Sequence, residues 1–184
     1  MAKLIYSSIT SLDGYVADDS GDFTWGRPDL EVHTFINDLQ RPIRTFLFGR
    51  RMYEVMSAWE TMTSDSPEMT DFAAQWHAAE KVVYSRTLDH VSTAHTSIRH
   101  DFDSAEVSDL LRLSDHDLLI GGPVIAAEAL RAGLVDEIHQ FVYPVIVGGG
   151  SAFLPDSLRT ALSLVDERRF AASGVVYLRY DITR

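Results

Sequence analysis

Residues 118–139 read LLIGGPVIAAEALRAGLVDEIH, and this stretch decides the fold class. A short apolar run, typical of a buried strand, ends at Gly121 and Gly122, and Pro123 then opens a strongly helical pattern. Proline suits the first turn of a helix because that position needs no N–H donor, and glycines let a ligand approach the backbone closely. Alternatively, the glycines only form a tight turn. The stretch predicts a strand-to-helix unit and leaves its role in ligand binding open.

The same alternation of strand-like and helix-like segments runs along the whole chain. Strands are predicted over 3–10, 45–49, 81–85, 117–121, 137–147 and 175–183, and helices over 30–40, 50–59, 71–80, 103–113 and 124–133. This order favours a three-layer α/β fold with a mostly parallel central sheet, and the strand-only ending predicts an antiparallel edge. Because no linker, repeat or low-complexity tract interrupts the pattern, we expect a single domain over residues 1–184.

Composition limits the possible functions. A chain of 184 residues with 46% hydrophobic and 23% charged residues is typical of one globular domain, and its net charge of −11 would repel nucleic acid. The absence of cysteine excludes disulfides, thiolate nucleophiles and cysteine-ligated metals, and it fits a reducing compartment. No apolar run approaches the roughly 18 residues of a membrane span. We therefore expect a cytoplasmic protein with neither a nucleic-acid nor a membrane partner.

Two further strand ends resemble the first one. TFLFGRRMYE, residues 45–54, repeats the order of strand, glycine and helix and adds Arg50 and Arg51, and KVVYSRTL ends a strand at Ser85 and Arg86. Unpaired N–H groups at helix starts bind phosphate, and the fork of an arginine matches phosphate oxygens. Together these strand ends predict a cradle for a polyanionic cofactor; alternatively, the arginines are solvated surface residues. An ordinary Rossmann site is not expected, because G-x-G-x-x-G is absent.

Five motifs occur in the order seen in dihydrofolate-reductase-like proteins. They are SITSLDGYVA, GRRMYE, VVYSRTL, LLIGGPVIAAEALRAGLVDEIH and YPVIVGGGSAFL, which together cover nearly the whole chain. They are most similar to the C-terminal reductase domain of the bifunctional riboflavin-biosynthesis deaminase-reductase. The resemblance implies a mixed eight-stranded sheet flanked by helices, with NADPH bound in extended form across the strand ends. It also implies a homodimer through an edge of the sheet, for which residues 137–147 are apolar enough, although the same run reads equally well as a buried strand.

The resemblance also assigns the residues that contact NADPH. It places the phosphate groups on the adenosine side and the diphosphate next to Gly49, Arg50, Arg51 and Met52. The 2′-phosphate is assigned to Ser85 and Arg86. The diphosphate and the nicotinamide ribose are assigned to Gly121, Gly122, Pro123, Val124 and Ile125. In such proteins the paired glycines commonly carry a cis peptide bond, which we therefore expect between Gly121 and Gly122.

The reaction that the resemblance implies is hydride transfer from NADPH to a C=N or C=O group of a small heterocyclic substrate. Asp13 is the first candidate for a catalytic residue, although it also suits an Asp-Gly turn. Asp29 and Glu31 are candidates for the acidic residue that binds substrate in folate-reducing relatives, or they are favourable charges on a first helical turn. Trp25 and Phe35 are candidate substrate contacts, although aromatic residues at such spacing are often core.

One departure weakens a specific substrate assignment. Riboflavin-pathway relatives usually carry a basic residue after SLDG, where this chain has Tyr15. With 184 residues and no cysteine, the chain is too short for the attached zinc deaminase and lacks its ligands. We therefore expect a stand-alone reductase resembling 5-amino-6-(5-phosphoribosylamino)uracil reductase and dihydrofolate reductase. The alternatives are a non-catalytic nucleotide- or flavin-binding module of the same fold and a structural protein. No metal site, hydrolase nucleophile or Walker motif is predicted, because H-E-x-x-H, G-x-S-x-G and G-x-x-x-x-G-K-[ST] are all absent.

Overall fold

A computed structural model describes residues 2–183, so the first and last residues of the domain predicted over 1–184 lie outside the described part. The strands are β1 (Leu4–Thr10), β2 (Tyr15–Ala17), β3 (Thr45–Gly49), β4 (Glu80–Tyr84), β5 (Thr96–Arg99), β6 (Leu118–Gly121), β7 (Glu137–Val142), β8 (Ser151–Ala152), β9 (Ala161–Arg169) and β10 (Val176–Thr183). The helices are α1 (Leu30–Gln40), α2 (Arg50–Met56), α3 (Pro67–Ala78), α4 (Ser104–Leu113) and α5 (Pro123–Arg131), with short 3-10 turns at Thr24–Gly26 and Ser57–Glu60.

The main sheet of the described residues has eight strands in the order β5-β4-β3-β6-β1-β7-β10-β9. The strands from β5 to β7 are parallel, whereas β10 runs antiparallel to both β7 and β9. The short strands β2 and β8 form a separate two-stranded sheet. The predicted three-layer fold, with a mostly parallel sheet and an antiparallel C-terminal end, is therefore confirmed.

Helices and aromatic side chains fill both faces of the sheet. On one face, Leu4, Ile120 and other strand residues pack against Ala126 and Ala129 of α5. On the other face, Phe48 packs with Trp76 of α3. Each fully buried side chain of this kind stabilises the fold by about 1.5–3 kcal/mol. None of the helices between residues 2 and 183 has the length and apolar character that crossing a bilayer requires.

The strand predicted over 137–147 is shorter than expected and lies inside the sheet. β7 ends at Val142, because Pro144 has no N–H to donate and the Val145 N–H bonds to the Tyr143 carbonyl at 2.8 Å. β7 pairs with β1 on one side and with β10 on the other, so it is the buried strand of the two alternatives and not an edge. The strands β2, β5, β8 and β9 were not predicted at all.

Candidate cofactor site

The carboxyl ends of four neighbouring parallel strands, β4, β3, β6 and β1, lie side by side and form a row of strand ends. The register places Gly49 opposite Tyr84, and Phe48 opposite Gly121. Since neighbouring strands lie about 4.8 Å apart, the row from the end of β4 to the end of β1 is about 14 Å long. The structure thus brings together the three segments assigned to the cofactor, 49–52, 85–86 and 121–125, and it places the loop after β1 beside them.

The turn from β6 into α5 requires glycine at both of its positions. A Cβ atom on Gly121 would lie 2.8 Å from Cε1 of Phe48, and one on Gly122 would lie 3.2 Å from Cβ of Met52. Gly122 also has a φ of 95°, which L side chains rarely adopt. Every peptide bond in residues 2–183 is trans, so the prediction of a cis bond between Gly121 and Gly122 is wrong. Here the positive φ of Gly122 turns the chain instead.

The helix that follows this turn starts without a side-chain cap. Gly122 is the N-cap of α5 and has no side chain to bond the first amides, and the first helical bond runs from the Ala126 N–H to the Gly122 carbonyl at 3.1 Å. The amides of Val124 and Ile125 precede that bond, while Pro123 has no N–H. Within residues 2–183 neither amide has a hydrogen-bond partner, so these two donors, together with the positive end of the helix dipole, can bind an anion.

Two of the predicted arginines lie at the start of α2. Arg50 donates from Nε to Glu54 Oε1 and from Nη1 to Thr87 Oγ1, both at 2.7 Å, and so connects α2 to the loop after β4. Arg51 is exposed, and within residues 2–183 it has neither a hydrogen-bond nor an ion-pair partner. A free guanidinium beside a row of strand ends is suited to phosphate oxygens.

The loop after β4 is shaped by Ser85. Its buried hydroxyl accepts hydrogen bonds from the backbone N–H groups of Thr87 and Leu88, at 3.2 and 3.0 Å. Next to it, Arg86 forms an ion pair with Asp101, and its side chain is 79% exposed. Exposed pairs of this kind contribute little to stability, so the guanidinium can exchange its partner for a phosphate at low cost.

Asp13 lies in the turn between β1 and β2 and acts as a hydrogen-bond acceptor. It accepts from the backbone N–H groups of Val147, at 3.2 Å, and Gly148, at 2.8 Å. A hydrogen bond from the side chain of Ser11 and those from the two backbone N–H groups lower the pKa of Asp13, so its carboxylate is ionised at neutral pH. Gly14, with a φ of 86°, completes the turn. Asp13 therefore holds the loop after β7 against the turn between β1 and β2, beside the row of strand ends.

The other two acidic candidates lie on the first turn of α1. Asp29 caps α1, accepting from the Val32 N–H at 2.9 Å, and Glu31 pairs with Arg168 of β9 at 2.8 Å. The structure brings Asp29, Glu31 and Phe35 together along an open groove of about 540 Å³, which Arg168 also lines. Their predicted contact with substrate remains a prediction.

The two aromatic candidates pack against one apolar cluster formed by Val32, Phe141, Tyr143, Phe170, Val175 and Tyr177. Phe35 meets Tyr177 edge to face, with ring centroids 4.9 Å apart, and Trp25 meets Tyr143 edge to face at 6.5 Å. Trp25 also donates from Nε1 to the Asp22 carbonyl at 3.2 Å. Both rings thus make core contacts, and the contact of either ring with the substrate remains a prediction.

The loop over residues 143–150 lies beside the row of strand ends, and its place there was not predicted from the sequence. Its three glycines, Gly148 to Gly150, belong to the motif YPVIVGGGSAFL, but no role in the site was assigned to them. A Cβ atom on Gly150 would lie 2.2 Å from the carbonyl oxygen of Ala17, so glycine is required for the loop to approach β2. The run of three glycines before SAF was the available signal, because such runs mark close approach of backbone to backbone.

Comparisons with known proteins identify the family of this chain. The sequence pattern of the RibD C-terminal domain matches residues 2–176. The chain belongs to the RibD C-terminal domain family. Over 182 residues this RibD-type domain is 28% identical to Uncharacterized protein YyaP of Bacillus subtilis (strain 168), covering 97% of the chain and 94% of that protein.

Solved structures share the fold of this RibD-type domain. A putative riboflavin biosynthesis protein from Shewanella sp. PV-4 superposes with a TM-score of 0.78, at 21% identity and over all of both chains. The Thermotoga maritima diaminohydroxyphosphoribosylaminopyrimidine deaminase/5-amino-6-(5-phosphoribosylamino)uracil reductase gives 0.66 at 17% identity, covering 99% of this chain and 57% of that one. Dihydrofolate reductase from Enterococcus faecalis, complexed with NADP(H), gives 0.62 at 15% identity, over 99% and 97% of the two chains. The predicted family and fold are therefore confirmed.

Proposed function

We propose that this protein is an NADPH-dependent reductase that transfers a hydride to a C=N or C=O group of a small heterocyclic substrate. The observation that carries the proposal is the row of strand ends, in which the uncapped start of α5 lies beside Gly49 and the arginines of α2. Membership of a reductase-type family supports an oxidoreductase. The cytoplasm, which supplies reduced pyridine nucleotide, is the location that we propose for it.

The residues of the row fit a long anionic cofactor. The amides of Val124 and Ile125 would hold the diphosphate, with Gly121 and Gly122 allowing the close approach. Arg50 and Arg51, with Gly49 and Met52, would neutralise the phosphates on the adenosine side. Ser85 and Arg86, at the far end of the row, would bind the 2′-phosphate. When bound, the reduced nicotinamide supplies the hydride.

The substrate would lie beyond the end of β1, next to Asp13. Because its pKa is lowered, Asp13 would accept a hydrogen bond from a substrate N–H and so orient the heterocycle. The other proposed contacts are Trp25, in the 3-10 turn before α1, Asp29, at the N-cap of α1, and Glu31 and Phe35 on α1. Because Tyr15 stands at a position where riboflavin-pathway relatives carry a basic residue, a phosphorylated ribosylaminouracil is one substrate to test and not the assigned one.

A second candidate function is a non-catalytic nucleotide- or flavin-binding module. One observation favours it: each of the three acidic residues predicted for catalysis already has a partner within the protein. Asp13 binds two loop amides, Asp29 caps α1 and Glu31 pairs with Arg168. A module of this kind would bind the nucleotide without consuming it.

Two measurements on the purified protein separate the candidates. Thermal unfolding with NADPH, NADH and FMN shows which nucleotide binds, since ligand at about 100 times its Kd stabilises the folded state by about 2.7 kcal/mol. NADPH absorbance is then followed with 5-amino-6-(5-phosphoribosylamino)uracil and with dihydrofolate as probes. Stabilisation by NADPH with substrate-dependent oxidation supports the reductase, and stabilisation without oxidation of NADPH by either probe supports the module. No stabilisation by any of the three nucleotides contradicts both.

A further inference from the structure

Two loops border the region in which the substrate is proposed to lie. They are residues 11–29, which lead from β1 to α1, and residues 143–150, which follow β7. The Leu12 N–H donates to the Val145 carbonyl at 2.8 Å. The Asp13 carboxylate accepts from two amides of the second loop, so the two loops are in contact. The side chains of both loops therefore border the same region, next to the end of β1.

The row of strand ends carries opposite charges at its two ends. The segments assigned to the cofactor phosphates, 49–52 and 85–86, contain three arginines and no acidic residue. The loop over residues 11–29 contains one base, Arg27, and five acids: Asp13, Asp18, Asp19, Asp22 and Asp29. The loop over residues 143–150 contains no charged residue. Because like charges repel, the end of the row next to these loops disfavours a phosphate that the other end attracts.

Several backbone donors of the two loops are already bound by carboxylates of the chain. One oxygen of Asp18 accepts from the amides of Ser20 and Asp22, at 2.8 and 2.9 Å. Asp22 in turn accepts from the amide and the hydroxyl of Thr24, both at 3.1 Å. Asp13 binds its two amides in the same way. Loop amides are donors that proteins use to bind phosphate, so a phosphate here would have to displace a carboxylate of the chain itself.

Two of these carboxylates keep their charge at neutral pH. A hydrogen bond from the Ser20 side chain, and then one from the Asp22 amide, lower the pKa of Asp18. A hydrogen bond from the Ser11 side chain lowers the pKa of Asp13 in the same way. An ionised carboxylate accepts an N–H from a substrate and repels a phosphate.

Three exposed apolar side chains lie at adjacent strand ends of the same region. Val124 follows β6 and is 81% exposed, Leu12 follows β1 and is 64% exposed, and Ile146 follows β7 and is 71% exposed. The strands β6, β1 and β7 are neighbours in the main sheet. A single exposed leucine is ordinary, but several apolar side chains at one site indicate a surface that binds an apolar group. Leu12 and Ile146, on the two loops in contact, are suited to the faces of a flat ring.

We infer that the substrate of the proposed reductase is a flat heterocycle that carries neither a phosphate nor any other negatively charged group. Its N–H groups face the carboxylates of the loop over residues 11–29, Asp13 first, and its ring faces contact Leu12 and Ile146. The inference rests on the proposed function and narrows the substrate class of that site. Tyr15 is an uncharged side chain where riboflavin-pathway relatives carry a base, and it fits the same substrate.

A matched pair of compounds tests the inference. They are 5-amino-6-(5-phosphoribosylamino)uracil and the same compound after a phosphatase has removed its phosphate. The dissociation constant of each is measured by calorimetry on the full-length protein saturated with NADP+, which cannot donate a hydride. The phosphate-free compound should bind about tenfold more tightly, because no phosphate then faces the carboxylates. Equal or tighter binding of the phosphorylated compound, or no binding of the phosphate-free one, overturns the inference.

The dependence on salt tests whether charge is the cause. The difference between the two compounds should shrink between about 0.01 and about 0.1 M salt, because the screening length falls from about 30 to about 10 Å. A preference for the phosphate-free compound that does not change with salt would contradict repulsion by the carboxylates.

A charge reversal beside the loop over residues 143–150 tests the same cause in the protein. The carboxylate of Asp19 lies against this loop, since a Cβ atom on Gly149 would be 3.0 Å from its Oδ2. Asp19→Lys should shift the ratio of the two dissociation constants about fivefold toward the phosphorylated compound. The matched control is Asp115→Lys, which makes the same change in net charge at a 97% exposed side chain before β6, at the amino ends of the strands. The control should leave the ratio unchanged, and equal ratios in the two variants contradict the inference.

Failure of the inference is distinguishable from failure of the reductase proposal. Thermal unfolding with NADP+ and with NADPH is measured on the wild type and on both variants. If neither nucleotide stabilises the wild type, the reductase proposal fails, and the inference fails with it. If a nucleotide stabilises all three proteins and the phosphorylated compound binds as tightly as the phosphate-free one, only the inference fails.

Discussion

The polar groups at the two ends of the parallel strands differ in how they are paired within residues 2–183. At the amino ends of β1 and β7, the buried Glu137 binds both Lys3 and His139, the latter at 2.9 Å. At the carboxyl ends, Gly122 leaves the first amides of α5 uncapped, and Arg51 has no partner within residues 2–183. Buried charge must be paired to be tolerated, so the first end is a structural device. Donors left free in a row are what a ligand needs, so the second end is the candidate site.

The start of a helix shows the same contrast on a smaller scale. Asp29 caps α1 and Asp103 caps α4, each accepting a hydrogen bond from a first-turn amide, at 2.9 and 2.8 Å. Gly122 at the start of α5 provides no such acceptor. A side-chain cap satisfies the helix internally, whereas a glycine leaves that task to water or to a ligand.

The largest effect is expected from giving α5 a cap. Gly122→Asp adds a carboxylate where the diphosphate is proposed to bind and a Cβ atom 3.2 Å from Cβ of Met52, so NADPH affinity should fall at least 100-fold in a binding titration. The matched control is Gly133→Asp at the other end of α5. Gly133 also has a positive φ, 68°, but, its two chain neighbours apart, no atom of residues 2–183 lies within 4 Å of its Cβ position. The control should lose about 1–2 kcal/mol of stability and keep its affinity. Gly122→Asp should lose more stability than the control, because its φ of 95° and ψ of 129° lie outside the left-handed helical region and its Cβ atom meets Met52. Equal affinities of the two variants would remove the start of α5 from the site.

The next largest effect is expected on the free energy of unfolding, through the contacts of Glu137 with His139 and Lys3 and their dependence on pH. The hydrogen bond to His139 and then the contact with Lys3 lower the pKa of Glu137 from 4.5 to about 2. Because the folded pKa is the lower one, this contribution to stability is complete above about pH 4.5 and is lost as the pH falls toward 2. It is on the order of 2–3 kcal/mol. Chemical unfolding of Glu137→Gln should therefore show a shallower loss of stability between pH 5 and pH 2 than the wild type. Parallel curves would assign the acid sensitivity to other carboxylates.

A tenfold effect is expected at the far end of the row. Arg86→Ala should reduce the preference for NADPH over NADH about tenfold, or about 1.4 kcal/mol, because the guanidinium is proposed to bind the 2′-phosphate. Arg112→Ala is the control, since Arg112 is also an exposed arginine in an ion pair, with Asp109 on α4. The ratio of the two dissociation constants is the measurement. An unchanged ratio in Arg86→Ala would place the 2′-phosphate elsewhere.

The smallest effect separates capping from substrate binding at α1. Asp29→Ala and Asp103→Ala each remove an N-cap and should each lower the free energy of unfolding by about 1 kcal/mol, measured by denaturant titration. Asp103 lies outside the predicted site, so it reports the cost of capping alone. If Asp29 also contacts substrate, only Asp29→Ala should raise KM in the reductase assay. Equal KM values of the two variants would indicate that Asp29 only caps α1 and does not contact substrate.

Local signals predicted much of this molecule, and their limits have physical causes. Helix α1 and strand β3 have the predicted bounds, because periodicity and terminal residues act within a few positions of the chain. β9 was missed because an edge strand exposed on both faces has no alternation of buried and exposed residues to detect. The end of β7 was misplaced because Pro144 lies within an otherwise apolar run. In the site, the glycines and arginines were found, but the contact of Asp13 with residue 148 spans 135 positions, and nothing local indicated it.

The sequence by itself determined the order of strands and helices, the glycine-to-helix turns and the residues able to bind phosphate, since all of these depend on backbone preferences of neighbouring residues. Only the tertiary structure decided that β3, β4 and β6 lie side by side, that β7 is internal and that β9 is the free edge. It also decided which charges are paired and which remain free. Strand order and ion pairing arise from contacts between distant segments, whose free energy depends on packing across the whole sheet and not on any local pattern.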